Sequence, residues 1–227
     1  MDFGTIIENS AARYSDRIAV WCDGRTQTYA ELFDRSCRIA NMLAGLGLTK
    51  GDRVATLSAN AFETPEQMAG IALGGFVRAS LYGHETGEVN SYLLDLVDAK
   101  ALLINAKLVE EIRPYFASLP KLEHVIVFDG PAPDGTIDYE AALATTDNTR
   151  PDVVSDPDDI HVIRFSAGTT GRPKGIVHTV RQWLNNNDEY RWVTPQLDER
   201  DVYLAAGQLT HAPSLWMWPI LQVGGRV

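Results

Sequence analysis

Cysteine is scarce in this 227-residue chain. Cys22 and Cys37 stand alone, with no metal-ligand spacing and no matching histidine cluster. That excludes a disulfide scaffold and offers no metal site, and it reads as free thiols in a reducing cytoplasm. Long apolar runs are missing too, since none approaches the ~18 residues that span a bilayer. The N-terminus carries Asp2 and Glu8 and lacks the basic and apolar segments of a signal peptide. Cations are in the minority, with 20 Lys and Arg against 30 Asp and Glu, for a formal net charge of -10. Such a balance argues against nucleic acid or an anionic membrane as partner. There is no internal repeat. Glu88, Asp95 and Asp98 fall on a solvated helix face, and no carboxylate pair is placed for acid–base work.

One local absence matters most. No Asp or Glu occurs between Asp159 and Asp188, a window that carries Arg164, Arg172, Lys174 and Arg181. Inside it, the stretch from Arg164 to Gly175 holds three glycines, three hydroxyls and three cations. Glycines let backbone N–H groups curl toward an anion, and hydroxyls add uncharged donors. Lysine and arginine supply the countercharge that phosphate oxygens need. A solvated turn would also accept Gly-Arg-Pro-Lys-Gly, but it would not require the surrounding acids to be cleared. Two commoner nucleotide motifs fail on spacing. A Walker loop counted from Gly168 would need its second glycine where Pro173 stands, and Lys174 is followed by Gly175 rather than by a hydroxyl. Gly45 to Lys50 nearly makes a dinucleotide fingerprint, yet it closes a helix instead of opening one.

The rest of the chain alternates in type. Phe3, Ile6, Ile7, Ala11 and Tyr14 recur at helical spacing. Asp23-Gly24 between Ile18–Cys22 and Arg25–Thr28 predicts a hairpin. Thr28 and Glu31 form a capping box for a helix that runs to about Gly45. Strands are expected at 53–58, 76–81, 101–105, 124–128 and 160–166, with helices at 64–75, 87–98 and 107–117 between them. A return strand at 175–178, a helix at 180–190, a strand at 201–205 and a helix at 212–222 complete the reading. Such alternation indicates an α/β fold with mostly parallel sheets flanked by helices. Asp147 to Asp159, with two prolines and five aspartates, reads as a linker, so the expected division is 1–150 and 151–227.

With these residues in place, the chain resembles the adenylate-forming superfamily of acyl-CoA synthetases, peptide-synthetase adenylation domains and firefly luciferases. The signature Gly-Thr-Thr-Gly-x-Pro-Lys-Gly stands without a gap at Gly168 to Gly175, although Ala167 replaces the usual Ser or Thr. Gln27 to Leu32 resembles an early Thr-Tyr-x-Glu-Leu element, and Ala69 to Leu81 a Gly-rich helix and strand. Ser80 and Leu81 depart there from Val-Pro. Leu209-Thr210-His211 resembles a later element whose His lies beside the acyl pocket.

The resemblance implies the N-terminal part of the large domain of an ATP-dependent acid–CoA ligase. In that reaction a carboxylic acid and ATP give acyl-AMP and pyrophosphate, and CoA then takes the acyl group, with Mg2+ assisting. Thr169, Thr170 and the Gly168 and Gly171 amides would hold the outer phosphates, Lys174 would supply charge and Ser166 a further hydroxyl. His211 would gate the substrate pocket and Trp216 would wall it. For Trp216 and Trp218, core packing is the bland alternative, and His178 reads as structural. No catalytic residue is assigned, because the family's adenine loop, magnesium-binding Glu, ribose-binding Asp, catalytic Lys and lid have no counterpart before Val227. The expectation is a fragment of a cytoplasmic enzyme that is inactive alone, with a homo-oligomer allowed. A non-catalytic ATP- or partner-binding module and a peptide-synthetase adenylation domain stay open as alternatives.

Overall fold

The computed structural model describes residues 2–166, 172–194 and 196–227. Helix α1 (Phe3–Tyr14) opens under a cap in which Asp2 accepts the Thr5 N–H at 2.7 Å. Strands β1 (Ile18–Cys22) and β2 (Arg25–Thr28) form the hairpin that Asp23-Gly24 predicts, and both turn residues have positive φ, 49° and 80°. Thr28 and Glu31 close a complete capping box on α2 (Tyr29–Gly45), and Gly47 leaves the helix at φ 92°.

The main sheet has seven strands. They are β3 (Arg53–Leu57), β4 (Val77–Ser80), β5 (Ala101–Asn105), β6 (His124–Phe128), β7 (Ile137–Asp138), β8 (Ile160–Ser166) and β9 (Lys174–Thr179). Their spatial order is β7-β6-β5-β3-β4-β8-β9, and all neighbours are parallel except the terminal β8–β9 pair. The sheet is continuous across residue 150, because β8 pairs with β4 through Arg78–Val162 and Ala79–Ile163.

Connecting helices cover both faces, as apolar parallel strands require. Under α4 (Gly87–Leu96) and α5 (Val109–Ile112) lies one core, with Leu57, Val77, Ala79, Leu102, Ile104 and Phe165 contributed by the sheet. On the other face α2, α3 (Thr64–Leu73) and α6 (Tyr139–Thr145) pack on Val54, Leu103 and Ile126. Beside them α1, α7 (Val180–Val193) and α8 (Ser214–Gln222) bury Phe3, Trp183, Met217 and Trp218 against Val162. Helices α2 and α3 approach so closely that a Cβ on Gly70 would meet Ile39 Cβ at 2.6 Å and the Ser36 carbonyl at 2.8 Å. Among the described residues no helix is long and apolar enough to cross a membrane.

Three expectations need correction. The helix at 107–117 is broken into a 3-10 turn, the short α5 and a second 3-10 turn at Arg113–Ser118. Pro114 explains the break, since it removes an N–H donor and disfavours helical backbone before it. The strand at 201–205 does not form. Val202 and Leu204 stay 59% and 81% exposed, and the segment gains just a bridge to Arg226, so alternation there has no sheet to join. Finally, β7 and α6 fall where no element was expected; Asp138 caps α6 by accepting the Ala141 N–H at 2.7 Å.

Candidate functional site

Strands β8 and β9 position the glycine-rich loop as the connection of an antiparallel hairpin at the sheet's edge. Ser166 and Lys174 are direct cross-strand partners at its mouth. Gly168, Thr169, Thr170 and Gly171 lie outside the described residues. Lys174 is exposed and Ser166 partly buried. Arg172 turns toward α4 and stacks its guanidinium 5.0 Å from the Tyr92 ring centre.

Residues alternate across β8, so Arg164 and Ser166 share a face, about 7 Å apart along the strand. Arg164 is partly buried there, with Cζ 5.8 Å from the Trp183 ring centre and Nη2 3.5 Å from His211 Nδ1. His211 stacks on Tyr82 at 4.6 Å, and the Tyr82 hydroxyl donates to the Phe165 carbonyl. A second hold on this turn comes from Ser214, whose hydroxyl donates to the His211 carbonyl at 2.7 Å. The histidine and the β8 cation therefore meet in one place, and Tyr82 joins them from the end of β4. Trp216 is partly exposed and packs on Tyr190 at 4.4 Å, whereas Trp218 is buried against Phe3 at 4.6 Å.

Electrostatics single out this end of the sheet. Arg164, Arg172 and Lys174 form no salt bridge among the described residues, and neither does Arg78 on β4. Residues 167–171 and 195 bear no acid to supply one. Arg78 is 3% exposed and its Nη2 has no hydrogen-bond partner. Burial, with the charge of Arg164 behind it, pulls its pKa down to about 9. The same two causes lower the pKa values of His211 and His178. His161, stacked 4.5 Å from Phe3, is lowered by burial to about 3 and stays neutral. The result is a patch of uncompensated positive potential in an acidic protein.

A larger cavity of about 850 Å³ opens between α2 and β6, lined by Arg25, Asp34, Arg35, Glu63, Asp129 and Glu140. Its cations are already paired, Arg25 with Glu63 at 2.8 Å and Arg35 with Glu140 at 2.7 Å. Size does not make it the anion site. No group of three His, Cys, Asp or Glu among the described residues could hold a metal ion. From the sequence, Arg164 counted merely as one of the loop's cations, and Tyr82 and Arg78 were missed. Arg78 had a signal, being a lone cation inside the apolar run from Phe76 to Leu81.

A parallel sheet edged by this hairpin, with helices on both faces, makes this an α/β protein. Residues 7–227 match the AMP-binding enzyme family, and the chain belongs to it. It is 31% identical over 183 residues to the 3-oxocholest-4-en-26-oate–CoA ligase of Rhodococcus rhodochrous, covering 78% of this chain and 33% of that protein. Against the long-chain-fatty-acid–CoA ligase of Thermus thermophilus the identity is 30%, over 85% of this chain and 35% of the relative. The anthranilate CoA ligase AuaEII, solved with anthranoyl-AMP, superposes with a TM-score of 0.94 at 22% identity, over 100% of this chain and 44% of that one. The chain thus spans about a third of the length of these curated relatives.

Proposed function

We propose that this chain supplies the phosphate-gripping part of an ATP-dependent carboxylic acid–CoA ligase. The observation that carries the reading is the gap-free signature from Gly168 to Gly175, whose Lys174 pairs across the hairpin with Ser166, in a zone without acids. In the first half-reaction a carboxylate oxygen bonds to the ATP α-phosphorus as the bond to pyrophosphate breaks, and the electron pair leaves with pyrophosphate. Negative charge grows on that leaving group, and donors fixed in advance stabilise it. Lys174 supplies the cation and Ser166 a hydroxyl. Thr169, Thr170 and the amides of Gly168 and Gly171 hold the outer phosphates. Pocket roles go to His211 as gate and Trp216 as wall. CoA would supply the thiol that takes the acyl group from acyl-AMP. Magnesium would accompany the ATP phosphates, but no described carboxylate stands at the loop to ligate it, so no step runs through it. Cytoplasmic chemistry is proposed with it. The full reaction belongs to a polypeptide with what the relatives carry beyond the matched third, and these 227 residues alone are expected not to complete it.

Acid-dependent ATP–pyrophosphate exchange by the whole polypeptide its gene encodes, run with a panel of acids, is the test. Lys174→Met is expected to lower the exchange rate by about 10²–10³-fold, the usual loss for one transition-state donor. An unchanged rate would remove Lys174 from the site. ATP binding with no exchange for any acid would favour the non-catalytic binding module.

A further inference from the structure

The cation on β8 has chemistry that phosphate binding leaves unused. Arg164 is held from three sides, by Trp183 under its guanidinium, by His211 at its edge, and by the strand that fixes its backbone. It has no carboxylate among the described residues, and Tyr82 and Tyr190 are the groups whose negative forms would favour its charge. A partly buried guanidinium is a fork of N–H donors suited to two oxygens of one carboxylate. Arg78, one strand over, adds positive potential behind it and offers no counter-ion. Arg172 and Lys174 do not compete for the same ligand, since one stacks on Tyr92 and the other stands at the loop.

We propose that Arg164 binds the reacting carboxylate of the acid substrate on its guanidinium, beside His211. The proposal rests on the acid-activating reading above and adds the residue that brings the acid to the phosphates. Two residues along β8 from Ser166, and on the same face, a carboxylate on Arg164 lies about one strand period from the loop. One oxygen is held by the fork, and the other faces the phosphates for attack. The cation also offsets the repulsion between a carboxylate and a polyphosphate brought side by side. Tyr82 and Tyr190 then bound the start of the acyl group, with aromatic faces suited to apolar or aryl carbon.

Two measurements test it. In exchange kinetics, Arg164→Met is expected to raise the KM for every acid about 10- to 100-fold, the range of a hydrogen bond to a charged group, and to leave the KM for ATP unchanged. Arg164→Lys should recover part of that loss. A variant that instead weakens ATP, or leaves the acid KM untouched, overturns the proposal. Independently of activity and of variant folding, benzoate or hexanoate titrated into the wild-type chain should raise the NMR pKa of the His211 ring. An anion on Arg164 sits beside Nδ1 and favours imidazolium. No shift at saturating benzoate and hexanoate overturns the proposal. A His211 shift without acid-dependent exchange would uphold the carboxylate site while the ligase reading falls.

Discussion

The buried charges Glu66 and Arg78 behave as opposites. Glu66 on α3 is fully buried and accepts four hydrogen bonds, from Gln27 Nε2 at 2.6 Å, Arg35 Nε at 2.6 Å, Arg35 Nη2 at 2.8 Å and Tyr139 hydroxyl at 2.7 Å. Burial works against the charge of Arg35, but its bonds to Glu66 and Glu140 outweigh that and raise its pKa. Among the described residues Arg78 and Arg164 have no such partner. An unpaired buried charge costs several kcal/mol, which a fold tolerates only where something else gains. The contrast is between charges paired within the chain and charges left without a carboxylate among the described residues.

Three substitutions probe that contrast. The largest effect is expected at Glu66→Ala, which leaves Arg35 with Glu140 alone and strands the Gln27 amide and the Tyr139 hydroxyl. Unfolding by urea should report a loss of about 3–5 kcal/mol, typical of breaking a buried pair from one side. A loss under 1 kcal/mol would mean that the hub is ornamental. Next comes pH. The folded pKa of His161 lies near 3, below the unfolded value of about 6.5, so between them the unfolded chain binds a proton that the folded chain refuses. That stability is complete above pH 6.5 and is lost as pH falls, by about 2 kcal/mol on reaching pH 5. His161→Phe should flatten this slope, and an unaltered slope in the variant would place the sensitivity elsewhere. The smallest effect runs in the other direction. Arg78→Met removes an unpaired charge at nearly constant volume and should gain about 1–2 kcal/mol in the same urea assay. A destabilised Arg78→Met would show that Arg78 has a structural partner after all, and the contrast would break.

Much of the fold was legible because its signals are local. Asp23-Gly24 dictates a turn, Thr28 and Glu31 complete a cap three residues apart, and Thr64-Pro65 opens a helix. Where local signals conflicted, the reading failed. Pro114 divides a segment whose apolar spacing looked helical, and Val202 and Leu204 alternate without a strand to pair with. Helix α6 is seven residues long, too short for periodicity to stand out, although Asp138 marked its start. At the site, the loop was readable because its residues are contiguous. Arg164, His211 and Tyr82 were not readable as a group, since 47 positions separate the first two and β4 brings in the third. Adjacency of that kind is created by strand order, which pattern along one chain does not encode.

The hairpin β1–β2, which lends Gln27 to Glu66, also bonds to residues about two hundred positions away. Trp21 N–H donates to the Val227 carbonyl at 2.8 Å, and Val227 N–H donates to Ala19 at 2.8 Å. The Tyr29 hydroxyl reaches the Gly225 carbonyl at 2.6 Å, across 196 positions. Such contacts carry a large loop-closure cost and slow the final step of folding. On the ribosome, residues 18–29 emerge with these partners about two hundred residues, and at least ten seconds of synthesis, behind them. Residues 18–29 wait for partners made long after them.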